Sequence, residues 1–413
     1  MATLTGSQKS AVPPDMLFVS AQPDHPYMAW EAEIYGHNFQ RLGIPPHQIV
    51  MLFALLDGKP PSEYIRCLAK IYRVHWYYDD RPGPDKQYIP SLRLMNMRRF
   101  FKEHDDELRN KHVFYHDADI IFRRLPDFYK LTKLPKVVMS NTAGYLGANV
   151  VDRTAKAYAK VDTSVTETTL FESMCESFKW QWDECRDTVR RNDGDATGGA
   201  QTLFQNLTDA KWWEDAYTNT MTMFHDMGKF ERAHPKQSPE GDPQFGWKAD
   251  MFGVLWSLWK AGIDTTSDKS LDFSWPVYGY DDYKSKNILH MAGVTDECPK
   301  DGPFANGECR FYKARFINSS PLDAQCKNRS HFDFVSKTSA SFAYVQEIID
   351  LVEHSTITEE EEAKAFTCFE CRTGGDERAP APLHTFPGWK PAGDGEPTPQ
   401  GVPAGDEDTA EEL

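Results

Sequence analysis

The chain has 413 residues, of which 40% are hydrophobic and 13% aromatic, enough to fill a sizeable core. Its formal charge is -16, and the segment 374–413 carries nine acidic against two basic residues, so the rest of the chain is only mildly acidic and does not present the cationic face that nucleic acid requires. No apolar run reaches the roughly 20 residues needed to cross a bilayer, and residues 1–15 have neither the basic nor the apolar part of a secretory leader.

Met16–Val19 is expected to form a buried first strand, followed by a helix over Tyr27–Leu42. The unit recurs. Gln48–Leu56 reads as a strand, Pro61–Tyr72 as a helix with proline at its start, and Val74–Tyr78 as a third strand. A helix over Ser91–Leu108 and a short strand, Val113–Tyr115, come next. Later strands are expected at Val137–Ser140 and Ala200–Phe204, with helical sequence over Thr163–Arg191, Asp209–Met227 and Trp247–Lys260. Strands alternating with helices predict an α/β fold with a mostly parallel central sheet flanked by helices. The expected layout is a flexible N-terminus (1–15), one catalytic domain (16–355), an acidic linker with a CxxC pair (356–373) and a disordered tail (374–413), where seven prolines and the acid excess leave too little apolar surface to offset backbone ordering.

The strand Val113–Tyr115 runs into His116-Asp117-Ala118-Asp119. Open α/β sheets bind ligands beyond the carboxyl ends of their strands, and residues two apart on an extended chain share a face. Asp117 and Asp119 are therefore candidate ligands for a hard divalent cation, Mn²⁺ or Mg²⁺, of the kind that holds a diphosphate. The apolar frame around them, Phe114-Tyr115 before and Ile120-Ile121-Phe122 after, buries the strand and leaves the carboxylates at its mouth. His290, closing the apolar run Asn287–His290, is a third candidate ligand from a distant loop.

Eight cysteines leave the redox compartment open: Cys67, Cys175 and Cys185 fall in helical segments where a buried thiol is ordinary, and Cys368 and Cys371 form a lone CxxC without a second ligand pair. Three Asn-x-Ser/Thr sequons, at Asn206, Asn318 and Asn328, are expected to be chance matches in the absence of a leader. A soluble, cytoplasmic setting is favoured, with a secretory lumen as the alternative.

Several segments in order resemble plant and algal hydroxyproline O-arabinosyltransferases and the related peptidyl serine α-galactosyltransferases. Tyr27-Met28-Ala29-Trp30-Glu31 is similar to that family's Tyr-x-x-Trp-Gln, with Glu31 in place of glutamine. His116–Ile121 with Leu125-Pro126 resembles its metal-binding strand end, and Phe245-Gly246-Trp247-Lys248-Ala249-Asp250-Met251 resembles its Phe-Gly-Trp-x-x-Glu-Met. Ile288–Gly293 and Cys309–Lys313 resemble its late histidine strand and its Trp-Arg-Phe-Asp-Lys.

The likeness runs from about Met16 to Glu353 and omits the tail. It implies a GT-A-like nucleotide-diphospho-sugar transferase fold, a nucleotide-sugar donor, UDP-linked by preference, a protein or glycan acceptor, and transfer with retention. It also implies Asp117, Asp119 and His290 as metal ligands and Asp250 as the catalytic carboxylate. Ser20, Ala21, Gln22, Asp117 and Trp247 are the expected donor contacts, with Ser20–Gln22 in a loop after the first strand. The family carries an amino-terminal membrane segment, which this sequence lacks.

Gly198-Gly199 reads most simply as a turn before a strand. A sugar-nucleotide pyrophosphorylase would need a glycine-rich basic loop after the first strand, and Ser20–Asp24 is not one. A glycan-binding module without turnover, or a scaffold recruiting basic partners through its acidic tail, are the non-enzymatic alternatives.

Overall fold

The computed structural model describes residues 11–160, 163–233, 248–293, 297–298, 309–355 and 368–369. The expected contact at Trp247, the Phe245-Gly246 part of its motif, the acidic linker apart from residues 368–369, and the tail lie outside these residues.

The strands are β1 (Met16–Pro23), β2 (Ile49–Leu55), β3 (Arg73–Tyr78), β4 (His112–His116), β5 (Ile120–Phe122), β6 (Val137–Asn141), β7 (Gly198–Phe204), β8 (Thr265–Ser267), β9 (Phe273–Ser274) and β10 (Ile288–His290). Seven of them form one sheet in the order β3-β2-β1-β4-β7-β6-β8. β3, β2, β1 and β4 run parallel, and so do β6 and β8. β7 is antiparallel to both of its neighbours. The sheet is thus mostly parallel within an α/β fold, as the alternating pattern implies. β1 and β2 are buried at every position, because helices cover both faces; hence they appear in sequence as unbroken apolar runs rather than alternating ones.

On one face pack the helices Ser91–Glu103, Ala210–Ala233 and Ala249–Lys260, with Leu92, Phe100, Trp213 and Trp256 fully buried. On the other lies Pro26–Arg41, whose Tyr35 and Phe39 meet Phe18, Phe53 and Phe114. This helix starts with proline in its first turn, and His25 caps it by accepting the Tyr27 N–H at its Nδ1 (3.2 Å). The outer flank of the same helix places Trp30 in a third cluster with Leu289, Phe311 and the helix Phe342–His354. Trp30 Nε1 donates to the Phe316 carbonyl.

Several elements differ from expectation. The helix foreseen over Pro61–Tyr72 is confined to Glu63–Leu68, because Ser62 caps it by accepting the Ile65 N–H and the chain must turn into β3. The helix foreseen to Leu108 breaks at His104, with a short turn over Asp105–Leu108. Thr163–Arg191 holds two helices, Glu167–Ser177 and Trp182–Arg191.

The cysteines also depart from the buried-thiol expectation. Cys175 is bonded to Cys185, Cys67 to Cys368 and Cys298 to Cys309. Cys326 is disulfide-bonded too, so none of the seven cysteines among the described residues is free. Cys368 is thereby held to the helix Glu63–Leu68, and its N–H and that of Phe369 both donate to Glu33 Oε1.

Candidate metal and donor site

The site forms where the chain leaves the main sheet. β4 ends at His116, a turn through Asp117, Ala118 and Asp119 follows, and β5 begins a second sheet of order β5-β10-β9. The two aspartates therefore converge through a turn and not, as their spacing suggests, through alternation along a strand. β5 pairs antiparallel with β10, with His290 opposite Ile120 and the Met291 N–H bonded to the Asp119 carbonyl (2.8 Å). That register carries the imidazole across 170 residues of chain.

One ligand atom each of Asp117, Asp119 and His290 lies within 4.8 Å of the others. His290 Nε2 is 3.2 Å from Asp119 Oδ1 and 3.4 Å from Asp117 Oδ2. Its ring stacks on Trp275 at 5.8 Å between centroids, which fixes its plane. Burial alone would depress the imidazole pKa, but the two carboxylates prevail and raise it. Asp119 is opposed by burial and nonetheless held low by Lys313 and His290, whereas at Asp117 burial prevails over Arg93 and His290 and raises the pKa.

Arg93 and Tyr88 enter this site with no local signal in the sequence, whereas Lys313 and Glu31 belong to segments the resemblance singles out without giving them a role. Lys313 Nζ is 2.5 Å from Asp119 Oδ2 and 3.2 Å from Glu31 Oε1. Burial pushes the Glu31 carboxyl up to about 7 against the pull of Lys313. Arg93, on the helix Ser91–Glu103, donates to Asp117 with one nitrogen and to Asp250 with another. Asp250 sits in the first turn of Ala249–Lys260, where a helix dipole favours a carboxylate. It accepts the Tyr88 hydroxyl (2.8 Å), and its own N–H donates back to that oxygen (2.9 Å). Arg93 thus joins the metal-candidate turn to the motif carboxylate across a cleft also lined by Tyr115, Gly199, Thr202 and Met251.

Gly198 and Gly199 open β7 itself rather than preceding it. A β-carbon at Gly198 would come within 2.5 Å of the Ser140 carbonyl, so strand crowding already accounts for that glycine. Ser20, Ala21 and Gln22 likewise lie within β1, not in a loop after it, and all three are buried. Ser20 Oγ hydrogen-bonds to the Tyr35 hydroxyl. Beside them His116 and Gln201 face each other across β4 and β7, and both side-chain amide atoms of buried Gln201 lack a hydrogen-bond partner.

The donor set of two carboxylates and one imidazole suits a borderline divalent ion. Mg²⁺ favours an all-oxygen shell, so the imidazole argues for Mn²⁺. Charge points the same way. Asp117, Asp119 and Asp250, with Glu31 partly protonated beside them, outnumber the Arg93 and Lys313 cations they face, so the cluster favours a further cation.

No family model matches the chain, and no curated protein matches it. Among solved structures it is similar to the apo form of the bifunctional glycosyltransferase WbbM, with a TM-score of 0.35 and 12% identity over 83% of this chain and 53% of that one. It is also similar to the galactosyltransferase LgtC bound to donor and acceptor sugar analogs, with a TM-score of 0.32 and 11% identity over 69% of this chain and 90% of that one. The chain spans about half the length of the WbbM structure. Both likenesses are loose. No described helix is long and apolar enough to cross a membrane.

Proposed function

We propose that the protein is a metal-dependent glycosyltransferase of GT-A type that moves a pentose or hexose from a nucleotide diphosphate, UDP by preference, to a hydroxyl of a protein or glycan acceptor. The observation that carries the reading is the convergence of Asp117, Asp119 and His290 beyond the carboxyl end of β4, with Asp250 and Arg93 on the other wall of the same cleft. The ordered sequence likeness to the hydroxyproline arabinosyltransferases agrees with it.

In this reading Asp117, Asp119 and His290 hold Mn²⁺, which supplies neutralisation of the departing diphosphate. Asp117, the more open of the two aspartates with 21% of its side chain exposed against 11% for Asp119, faces the donor. Lys313 balances the inner oxygen of Asp119 and keeps Oδ1 turned to the ligand side. Asp250, oriented by Tyr88 and Arg93, accepts a sugar hydroxyl and fixes the ring against the diphosphate. Among the described residues the carboxylates of the cleft are engaged by Arg93, Lys313, Tyr88 and His290, and transfer with retention, where the acceptor enters on the face the nucleotide leaves, needs no dedicated base.

The test is nucleotide release from a panel of UDP- and GDP-sugars with Mn²⁺, with and without chelator, for wild type and Asp119→Asn. Chelator-sensitive release from wild type, lost in the variant, is expected and names the donor. Sugar-dependent binding with no release across donors and candidate acceptors would replace the transferase with a glycan-binding module.

A further inference from the structure

We propose that Asn206, Asn318 and Asn328 are N-glycosylation acceptors and that the chain matures in an oxidising secretory lumen; neither part depends on the transferase reading. The sequence alone leaves the sequons ambiguous and the cysteines open. The structure resolves both in one direction. Seven cysteines in positions as far apart as 67 and 368 are disulfide-bonded, a pattern that persists in oxidising compartments and is rare in reducing ones. In those compartments Asn-x-Ser/Thr is read as a modification signal.

Exposure leaves all three sequons reachable, although Asn110, Asn141 and Asn149, which head no sequon, are exposed as well. Asn38, Asn96 and Asn287 are buried and work as internal hydrogen-bonding groups; none of them heads a sequon. Asn206, Asn318 and Asn328 are all exposed.

Their placement accommodates a bulky glycan. Asn206 follows β7, and Phe204 pairs with Val113, so it lies at the opposite end of the sheet from Asp117 and a sugar chain there leaves the cleft open. Its φ of 53° puts it in a tight turn of the kind asparagine tolerates. Asn318 occupies the turn between Lys313–Phe316 and the helix Pro321–Lys327. Asn328 ends that helix, and its Oδ1 accepts the Ser330 N–H (3.1 Å), a loop that brings the amide and the hydroxyl residue of the sequon together.

In the modification, the Asn Nδ2 attacks the anomeric carbon of a lipid-diphosphate-linked oligosaccharide. The new N–C bond replaces the C–O bond to the lipid diphosphate, which departs, and the amide proton passes to the transferring enzyme. Each disulfide forms as two thiols surrender two electrons and two protons to a lumenal disulfide donor.

The experiment directs the full chain into the endoplasmic reticulum of a eukaryotic cell. It then measures site occupancy by peptide mass after N-glycan-removing amidase in water labelled with oxygen-18, one atom of which enters each new aspartate, and alkylation of the denatured, unreduced protein. Asn206→Gln, Asn318→Gln and Asn328→Gln are run beside wild type. We expect all three asparagines to convert, each variant to lose one glycan from the intact mass, and no alkylation at Cys67, Cys175 or Cys185. An asparagine found bare overturns the assignment at that position, and alkylation of these three cysteines overturns the disulfides on which maturation in an oxidising lumen rests.

Discussion

Asp119 serves two partners at once, and this decides how it can be tested. Its Oδ2 lies against Lys313 and its Oδ1 faces His290, all in a buried setting. Alanine is the simplest probe of a candidate ligand carboxylate. With the ammonium in view, alanine leaves Lys313 with Glu31 as its remaining carboxylate beside the Tyr27 ring, and removing one partner of a buried pair costs about 3–5 kcal/mol. Asp119→Asn keeps the volume and an acceptor oxygen. Chemical denaturation is expected to show the alanine variant less stable than the asparagine variant, with both equally inactive; equal stabilities would mean the pair is more solvated than its burial indicates. Lys313→Met reverses the imbalance by leaving Glu31 and Asp119 facing each other. It is expected to lower stability by a similar few kcal/mol at pH 8 and by less at pH 5.5, where Glu31, already pushed up to about 7 by burial, takes up a proton. A loss independent of pH would dismiss the charge argument.

At the scale of elements, the cap of the helix Pro26–Arg41 depends on a histidine that must accept a hydrogen bond. His25 Nδ1 takes the Tyr27 N–H, which only the neutral ring can do, and burial lowers its pKa to about 4. Between pH 4 and 6.5 the unfolded chain therefore binds the proton and the folded one does not, so stability is full above about pH 6.5 and falls as pH drops toward 4. The loss is on the order of 2 kcal/mol, taking 1.36 kcal/mol per unit and discounting for partial solvation. His25→Asn supplies a cap that does not titrate and is expected to flatten this part of the pH profile measured by denaturation; an unchanged slope would assign the acid sensitivity to other histidines.

The disulfide Cys175–Cys185 joins the helices Glu167–Ser177 and Trp182–Arg191 across a separation of 10 residues. A loop of that length is worth about 3 kcal/mol in the chain-entropy account, so the paired substitution to serine should cost nearly that much, read as a shift in denaturation midpoint. The break between these two helices was not visible in the amphipathic spacing, since each half continues the other's periodicity; the disulfide that defines the break is a contact in space.

For the molecule as a whole, what the sequence discloses is what is local. β1, β2 and β4 announce themselves as apolar runs because both faces of the sheet are covered, and Asp117-x-Asp119 announces itself because its ligands are neighbours in the chain. The antiparallel entry of β7 leaves no mark in Ala200–Phe204, whose residues would suit either direction. Arg93 and Tyr88 join the site because the one connection between β3 and β4 delivers both, Lys313 arrives on the segment after β10, and His290 needs the β5–β10 register. The metal candidate is consequently a junction between the main sheet, which supplies Asp117 and Asp119 from the end of β4, and the small sheet, which supplies His290. An ion bound there stabilises that junction by linkage, by about 2.7 kcal/mol at a hundredfold excess over its Kd. Mn²⁺ should therefore raise the Tm of the wild type in the absence of any sugar nucleotide. His290→Asn, which is smaller than histidine but polar and lacks an atom at the Nε2 position that faces both carboxylates, should fold with a Tm that responds far less. Mg²⁺ should act more weakly than Mn²⁺ because the imidazole suits it less. Melting curves of the two proteins against both ions check this without reference to turnover: a wild-type Tm unmoved by millimolar Mn²⁺ would mean that Arg93 and Lys313 alone satisfy the carboxylates, and that the cluster is an ion-pair network holding two sheets together.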